Sequence, residues 1–186
     1  MSYEVYKPCI GSTVGYLLKL LKAAYGETVS DAETLRARMY AKKEEIVQKD
    51  GFPQIPGVKE ALKRFHDEGF RLEVASSSAG YYIGRVLDAL EIRQYFECYT
   101  SGEEVDHPKP APDTFVRAME KLKLKPEDCL IVEDSTNGGK AAAAAGAKCV
   151  WFHNPDSGDQ QIPPAALTIT SWSQENVEKI IELMKQ

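Results

Sequence analysis

Between residues 12 and 50 the apolar positions fall at helical spacing. Val14, Leu17, Leu18 and Leu21 recur every three or four residues and Gly26 follows as a stop, which predicts one amphipathic helix. A second helix is expected to start at Ser30, where S-x-x-E with Glu33 reads as a capping box, and to run through Leu35, Met39 and Ile46 toward Gly51. Its polar run AKKEEIVQK reads as a solvated face. The pattern then breaks at FPQIPG, where Pro53, Pro56 and Gly57 mark a hinge over 53–57.

After the hinge two periods alternate. Val58, Leu62 and Phe65 mark a helix ending at Gly69, RLEVA is a strand, Ile83, Val86, Leu87 and Leu90 mark a helix, and FECYT is a short strand. PDTFVRAMEKL is helical with Pro112 in its first turn, CLIVE is a strand, and NGGKAAAAAGA is a helix of small residues. KCVWF and LTIT are strands, and a last helix begins near Ser173. Such alternation implies an α/β fold with a parallel sheet, helices on both faces and right-handed crossovers. Ligands of these sheets bind beyond the carboxyl ends of the strands. The serines of VASSS and the acids of IVEDS stand at two such ends.

Composition narrows the function. The chain has 186 residues, 43% of them hydrophobic, enough for one domain with a small appendage or for two small ones. No apolar run approaches the ~20 residues that span a bilayer, and MSYEVYKPCI lacks the basic start and apolar core of a signal peptide, so a cytoplasmic chain without membrane contact is expected. Cys9, Cys98, Cys129 and Cys149 follow no C-x-x-C pattern and are expected to be reduced and mostly buried. His66, His107 and His153 lack metal-ligand spacing and read as loop or surface residues. A net charge of -5, with no basic cluster interleaved with aromatics, argues against nucleic acid. Small-molecule chemistry is left.

Three elements then line up in chain order: Ser76 at a strand end, Lys109 within HPKPAPD, and Glu133 with Asp134 at another strand end. Singly, each has a structural explanation, as a serine turn, a loop lysine, or an acidic helix N-cap. Together they match phosphoryl transfer. A hydroxyl with neighbouring N–H groups holds phosphate oxygens, an ammonium neutralises growing charge, and two carboxylates hold Mg²⁺ with water completing its octahedron. A receiver domain uses the same groups, but with the acids first along the chain and the lysine last, so the order here excludes it.

The chain resembles the haloacid dehalogenase superfamily, in the branch with β-phosphoglucomutase, phosphoglycolate phosphatase and small sugar-phosphate phosphatases. PGVKEALKRFHDEGFRLEVASSS, SGEEVDHPKPAPDTF and CLIVEDSTNGGKAAAAAGAKCVWF carry the resemblance, which runs from end to end. It implies a Rossmann-like core over 58–186 and a partial α-helical cap over 1–52. It also implies that Ser76 holds the transferring phosphoryl group, that Lys109 orients it, and that Glu133 and Asp134 bind Mg²⁺, Asp134 directly. Ser77, and Thr13 in the substrate-facing turn CIGSTVG, are implied phosphate or substrate contacts, and Gly138 is the family glycine that lets a helix approach the site. Val14 stands where the phosphoglucomutases carry an arginine, and Ser77 to Gly80 lack their Lys and Asn, which favours a phosphatase of small phosphorylated metabolites, such as sugar phosphates, over a mutase. A monomer is expected.

The family's attacking aspartate belongs to a D-x-D motif, and no D-x-D occurs in these 186 residues. The expectation is therefore an N-terminally truncated, inactive phosphatase that lacks the central nucleophile strand. A non-catalytic phosphate- or partner-binding protein is the alternative. Loss of a strand between those carrying Ser76 and Glu133 would leave a gap of ~10 Å or force re-pairing, since adjacent strands lie ~4.8 Å apart.

Overall fold

The computed structural model describes residues 2–26, 31–161 and 163–186. A short helix α1 (Tyr3–Tyr6) and a 3₁₀ turn (Lys7–Cys9) lead into α2 (Val14–Tyr25), whose first turn is capped by Thr13 Oγ1 accepting from Tyr16 N at 3.4 Å. Leu17 and Leu21 of α2 pack with Cys9 against Leu35 and Met39 of α3 (Ala32–Asp50). Asp31 caps α3 by accepting from Thr34 N at 2.7 Å. The expected cap Ser30 lies outside the described residues. The spacing of Leu17 and Leu21 thus yields the buried stripe that the hydrophobic pattern predicts.

Beyond the hinge, α4 (Val58–Asp67), β1 (Glu73–Ser76), α5 (Gly80–Ala89), β2 (Cys98–Ser101), α6 (Asp113–Leu122), β3 (Leu130–Glu133), α7 (Thr136–Ala145), β4 (Lys148–Phe152), β5 (Leu167–Ile169) and α8 (Gln174–Met184) follow in order. Every ladder is parallel, with Ser76 opposite Ser101 in β1–β2, Glu133 opposite Trp151 in β3–β4, and Phe152 opposite Ile169 in β4–β5. Parallel strands need covering on both faces. On one face Phe65 of α4 and Val177, Ile180 and Ile181 of α8 bury Val150, Phe152 and Ile169. On the other, Phe115 and Met119 of α6 meet Ile131 and the alanines of α7. Ala141 and Ala142 are completely buried, so the small residues bring α7 hard against the sheet. Each large apolar side chain removed from water contributes about 1.5 to 3 kcal/mol, and Phe65→Ala would cost about 3 to 5 kcal/mol once its cavity is counted.

Two local expectations need correction. Pro112 is the N-cap of α6 and not part of its first turn; its fixed φ suits it to either position. Only Cys9 of the four free cysteines is fully buried; Cys98, Cys129 and Cys149 are half-buried on strands or beside them, the last two packed against the edge of the α6–α7 core.

The strands form two sheets, β1–β2 and β3–β4–β5, and β1 and β3 do not pair among the described residues. An apolar cavity of about 460 Å³ lies between them, lined by Leu72 and Ala75 from β1 and its approach, Ile131 and Val132 of β3, and Phe115 and Met119 of α6. Val132 is 37% exposed although its strand is sandwiched between helices. Of the two outcomes expected for the sheet, the chain takes the gap. Without a ladder between β1 and β3, α6 bridges the two sheets, packing on β1 and β2 and, through Phe115 and Met119, on Ile131 of β3.

Candidate active site

The carboxyl ends of β1 and β3 face each other across this gap, and one lysine ties them together. Lys109 comes from the HPKPAPD loop and is 5% exposed. Its ammonium donates to Ala75 O of β1 at 3.0 Å and to Glu133 Oε1 of β3, and lies 4.3 Å from the centroid of the Phe115 ring. Two acceptors and an aromatic face fix it in one position.

Glu133 is held equally firmly. Its Oε2 accepts from Asp134 N at 3.2 Å, Ser135 N at 3.4 Å and Ser135 Oγ at 3.1 Å. Ser135 Oγ also accepts from Gly138 N at 3.0 Å, which caps α7. A Cβ on Gly138 would stand 2.0 Å from the Glu133 carboxyl, so only a residue without a side chain allows α7 to start here. Asp134 points elsewhere: its Oδ2 accepts from Asn154 Nδ2 at 2.9 Å and from Ser157 Oγ. Among the described residues its Oδ1 accepts no hydrogen bond.

At the other strand end, Ser76 Oγ accepts from Ser78 N at 3.1 Å, the local serine turn, and its own proton stays available. Ser77 Oγ is committed to Gly11 O at 3.0 Å, and Thr13 Oγ1 to capping α2. All six residues named from the sequence, Thr13, Ser76, Ser77, Lys109, Glu133 and Asp134, line one cavity of about 500 Å³. That size suits a small metabolite.

The donor set fits Mg²⁺. Magnesium takes hard oxygen ligands, keeps several waters and needs only one or two carboxylates beside a phosphate. Asp134 Oδ1 offers one such oxygen at the cavity wall and Glu133 stands next to it. Among the described residues no cluster of three His, Cys, Asp or Glu side chains forms a closed metal site, and His66, His107 and His153 are exposed.

Residues 2–152 match the haloacid dehalogenase-like hydrolase family. The chain belongs to that family. Over 146 residues it is 31% identical to phosphoglycolate phosphatase of Nitrosospira multiformis, covering 77% of this chain and 64% of the relative. With the phosphorylated carbohydrates phosphatase of Thermotoga maritima the identity is 25% over 162 residues, 86% of this chain and 72% of the relative. The fold of β-phosphoglucomutase from Clostridium difficile superposes with a TM-score of 0.77 at 22% identity, covering all of this chain and 82% of that one. As a haloacid dehalogenase-like hydrolase, the chain has its phosphatase relatives' type of α/β core, and it spans about two thirds of the length of these phosphatases.

Several supports of the site escaped the sequence reading. Asn137 Nδ2 donates to Pro8 O at 2.8 Å and Ile10 O at 2.7 Å, Ser12 Oγ donates to Lys109 O at 2.9 Å, and a Cβ on Gly11 would stand 2.1 Å from Ser135 Oγ. These contacts clamp the turn before α2 onto the start of α7 and onto the loop that carries Lys109. The glycine of CIGST was a signal for close approach, but nothing local in the sequence pairs it with Ser135. Asn154 and Ser157, which hold Asp134, lie in the NPDSG turn, a pattern that reads as punctuation alone.

Proposed function

We propose that these residues form the phosphate- and magnesium-binding site of a phosphatase for small phosphomonoesters, with residues 1–52 as a cap over the core at 58–186. The observation that carries this reading is Lys109, one buried ammonium bonded to both β1 and β3 in the cavity that Asp134 also lines. In this reading the Ser76 hydroxyl donates to a phosphate oxygen and the adjoining N–H groups of the SSS turn share that load. Lys109 balances the charge of the bound phosphate. Magnesium, when held by Asp134 with Glu133, supplies further neutralisation of the phosphate oxygens. Glu133 also fixes Lys109, and Asn154 and Ser157 aim Asp134.

The chain contains no D-x-D, so the reading assigns to these 186 residues binding without turnover. The gap between β1 and β3 is where an attacking aspartate on a central strand would belong in the family arrangement. The sugar-phosphate and phosphoglycolate phosphatases among the relatives support a small phosphorylated metabolite as ligand. A non-catalytic phosphate-binding role is the second reading, favoured by that same missing motif.

The test is calorimetric binding of a small phosphomonoester with and without Mg²⁺, alongside release of inorganic phosphate. Binding that requires Mg²⁺ and is lost in Asp134→Ala, without phosphate release, supports the proposal. Turnover abolished by Asp134→Ala would show that another group attacks phosphorus, and absence of binding would overturn the assigned site.

A further inference from the structure

Gln160 is 7% exposed, although glutamine is mostly a surface residue, and both ends of its amide are bonded. Its Oε1 accepts from Thr136 N at 2.9 Å and its Nε2 donates to Ser157 O at 3.0 Å. Thr136 N can only donate and Ser157 O can only accept, so the partners themselves fix which way the amide faces. Neither a carboxylate nor an apolar side chain of this length meets both demands. The residue lies outside the stretches that carry the family resemblance, which end at Phe152.

The two bonds close a ring around the acidic pair. Asp134 Oδ2 accepts from Ser157 Oγ, and from Asn154 Nδ2 at 2.9 Å, while its Oδ1 accepts none among the described residues. Ser157 ends a 3₁₀ turn (Pro155–Ser157) that Asn154 caps, and Gln160 ties the carbonyl of Ser157 to Thr136, two residues after Asp134. The path from Asp134 through Ser157, Gln160 and Thr136 thus returns to the strand end where it began. Asp134 can turn away only by giving up both bonds to Oδ2, and Ser157 cannot follow it while Gln160 holds the turn.

The outer side of the loop has a second support, from the N-terminal segment. Tyr3 Oη accepts from Asp159 N at 3.0 Å, and Lys7 pairs with Asp159. Tyr3 and Asp159 are exposed and Lys7 is half-buried, so solvent and salt screen that ion pair and it contributes little. The buried amide is the stronger support.

We propose that Gln160 is a positioning residue for the metal, holding Ser157 so that Asp134 keeps Oδ1 for Mg²⁺. This proposal rests on the magnesium site proposed above. A carboxylate that is already aimed loses less rotamer freedom when it binds, so Gln160 raises metal affinity without touching the ion.

The experiment is calorimetric titration of Mg²⁺ into the full chain in inorganic phosphate, with thermal melts of the same proteins and Asp134→Ala as the blank. Ser157→Ala should weaken Mg²⁺ binding about tenfold, and Gln160→Met about three- to tenfold. Gln160→Asn, an amide one carbon too short to span both partners, repeats the test without a new apolar group. Lys7→Ala should leave the affinity unchanged. In the Ser157→Ala background Gln160→Met should cost little further affinity while still lowering the melting temperature, because the ring then no longer reaches Asp134 through Ser157. An affinity that survives both Gln160 substitutions, or an equal loss with and without Ser157→Ala, would overturn the proposal and leave the metal site standing. A wild-type chain that binds Mg²⁺ no better than Asp134→Ala would overturn the metal site, and this role of Gln160 with it.

Discussion

Lys109 and Glu133 are bonded side chain to side chain, 24 residues apart in sequence, with 5% and 10% of their side chains exposed. They join two strands that share no ladder. A buried ion pair adds little net stability over an apolar pair of the same shape, but removing one partner strands the other charge in the core. Lys109→Ala is therefore expected to destabilise the fold by about 3 to 5 kcal/mol, and Glu133→Gln should recover part of that loss in the Lys109→Ala background. Urea unfolding of the two single variants and the double variant measures both. Additive losses would mean that the pair does not couple the sheets.

Gly138 makes a sharper test of the same carboxylate. A methyl group there meets the Glu133 carboxyl at 2.0 Å, and that carboxyl cannot swing away without leaving Lys109 and Ser135. Gly138→Ala should cost about 1 to 3 kcal/mol by overpacking, despite alanine's better helix propensity. Shortening the partner removes the clash, so the same substitution made in Glu133→Ala should cost far less. Thermal melts of the four proteins decide it, and equal losses in the two backgrounds would locate the strain elsewhere.

Asn137 is the clamp between the turn before α2 and the start of α7. It is 7% exposed and its amide satisfies the carbonyls of both Pro8 and Ile10. Asn137→Ala leaves those carbonyls without their donor, at a cost of about 1 to 3 kcal/mol. Hydrogen exchange should then quicken across α2 while the amides of β3 and β4 keep their protection. Uniform acceleration through the core would mean that the clamp supports the whole fold and not the cap turn alone.

The periods of the sequence made the architecture legible. KCVWF and CLIVE are strands because β-branched and apolar residues are packed into short runs between helix-spaced segments, and both appear as β4 and β3 with parallel partners. Periodicity reports which face a residue turns to the core, and a run such as RLEVA says nothing of which strand lies beside it. The separation of β1 from β3 could thus be anticipated only from the family resemblance, and the strand pairings show it. The acidic pair was legible as a local motif, yet the roles of its two members differ for reasons that are entirely tertiary. Glu133 folds back on Lys109 and the start of α7, whereas Asp134 is drawn by Asn154 and Ser157 from a turn 20 or more residues away.

Cys149 tests whether a thiol could replace the absent D-x-D aspartate. It lies on β4 opposite Ile131, and burial, with the Glu133 charge adding to it, pushes its pKa from 9.0 up to about 11. Both effects disfavour the thiolate, so at neutral pH the residue is a protonated thiol and a poor nucleophile. A raised acid pKa stabilises the fold fully below the unfolded value, and that contribution disappears as pH rises from about 9 through about 11. Alkaline unfolding should therefore steepen over that window, and Cys149→Ala should flatten it. Iodoacetamide should label Cys149 slowly at pH values below that window and quickly once urea unfolds the chain. Rapid labelling of the folded protein near neutrality, blocked by a bound phosphomonoester, would mark Cys149 as an accessible thiolate and reopen covalent attack by this chain.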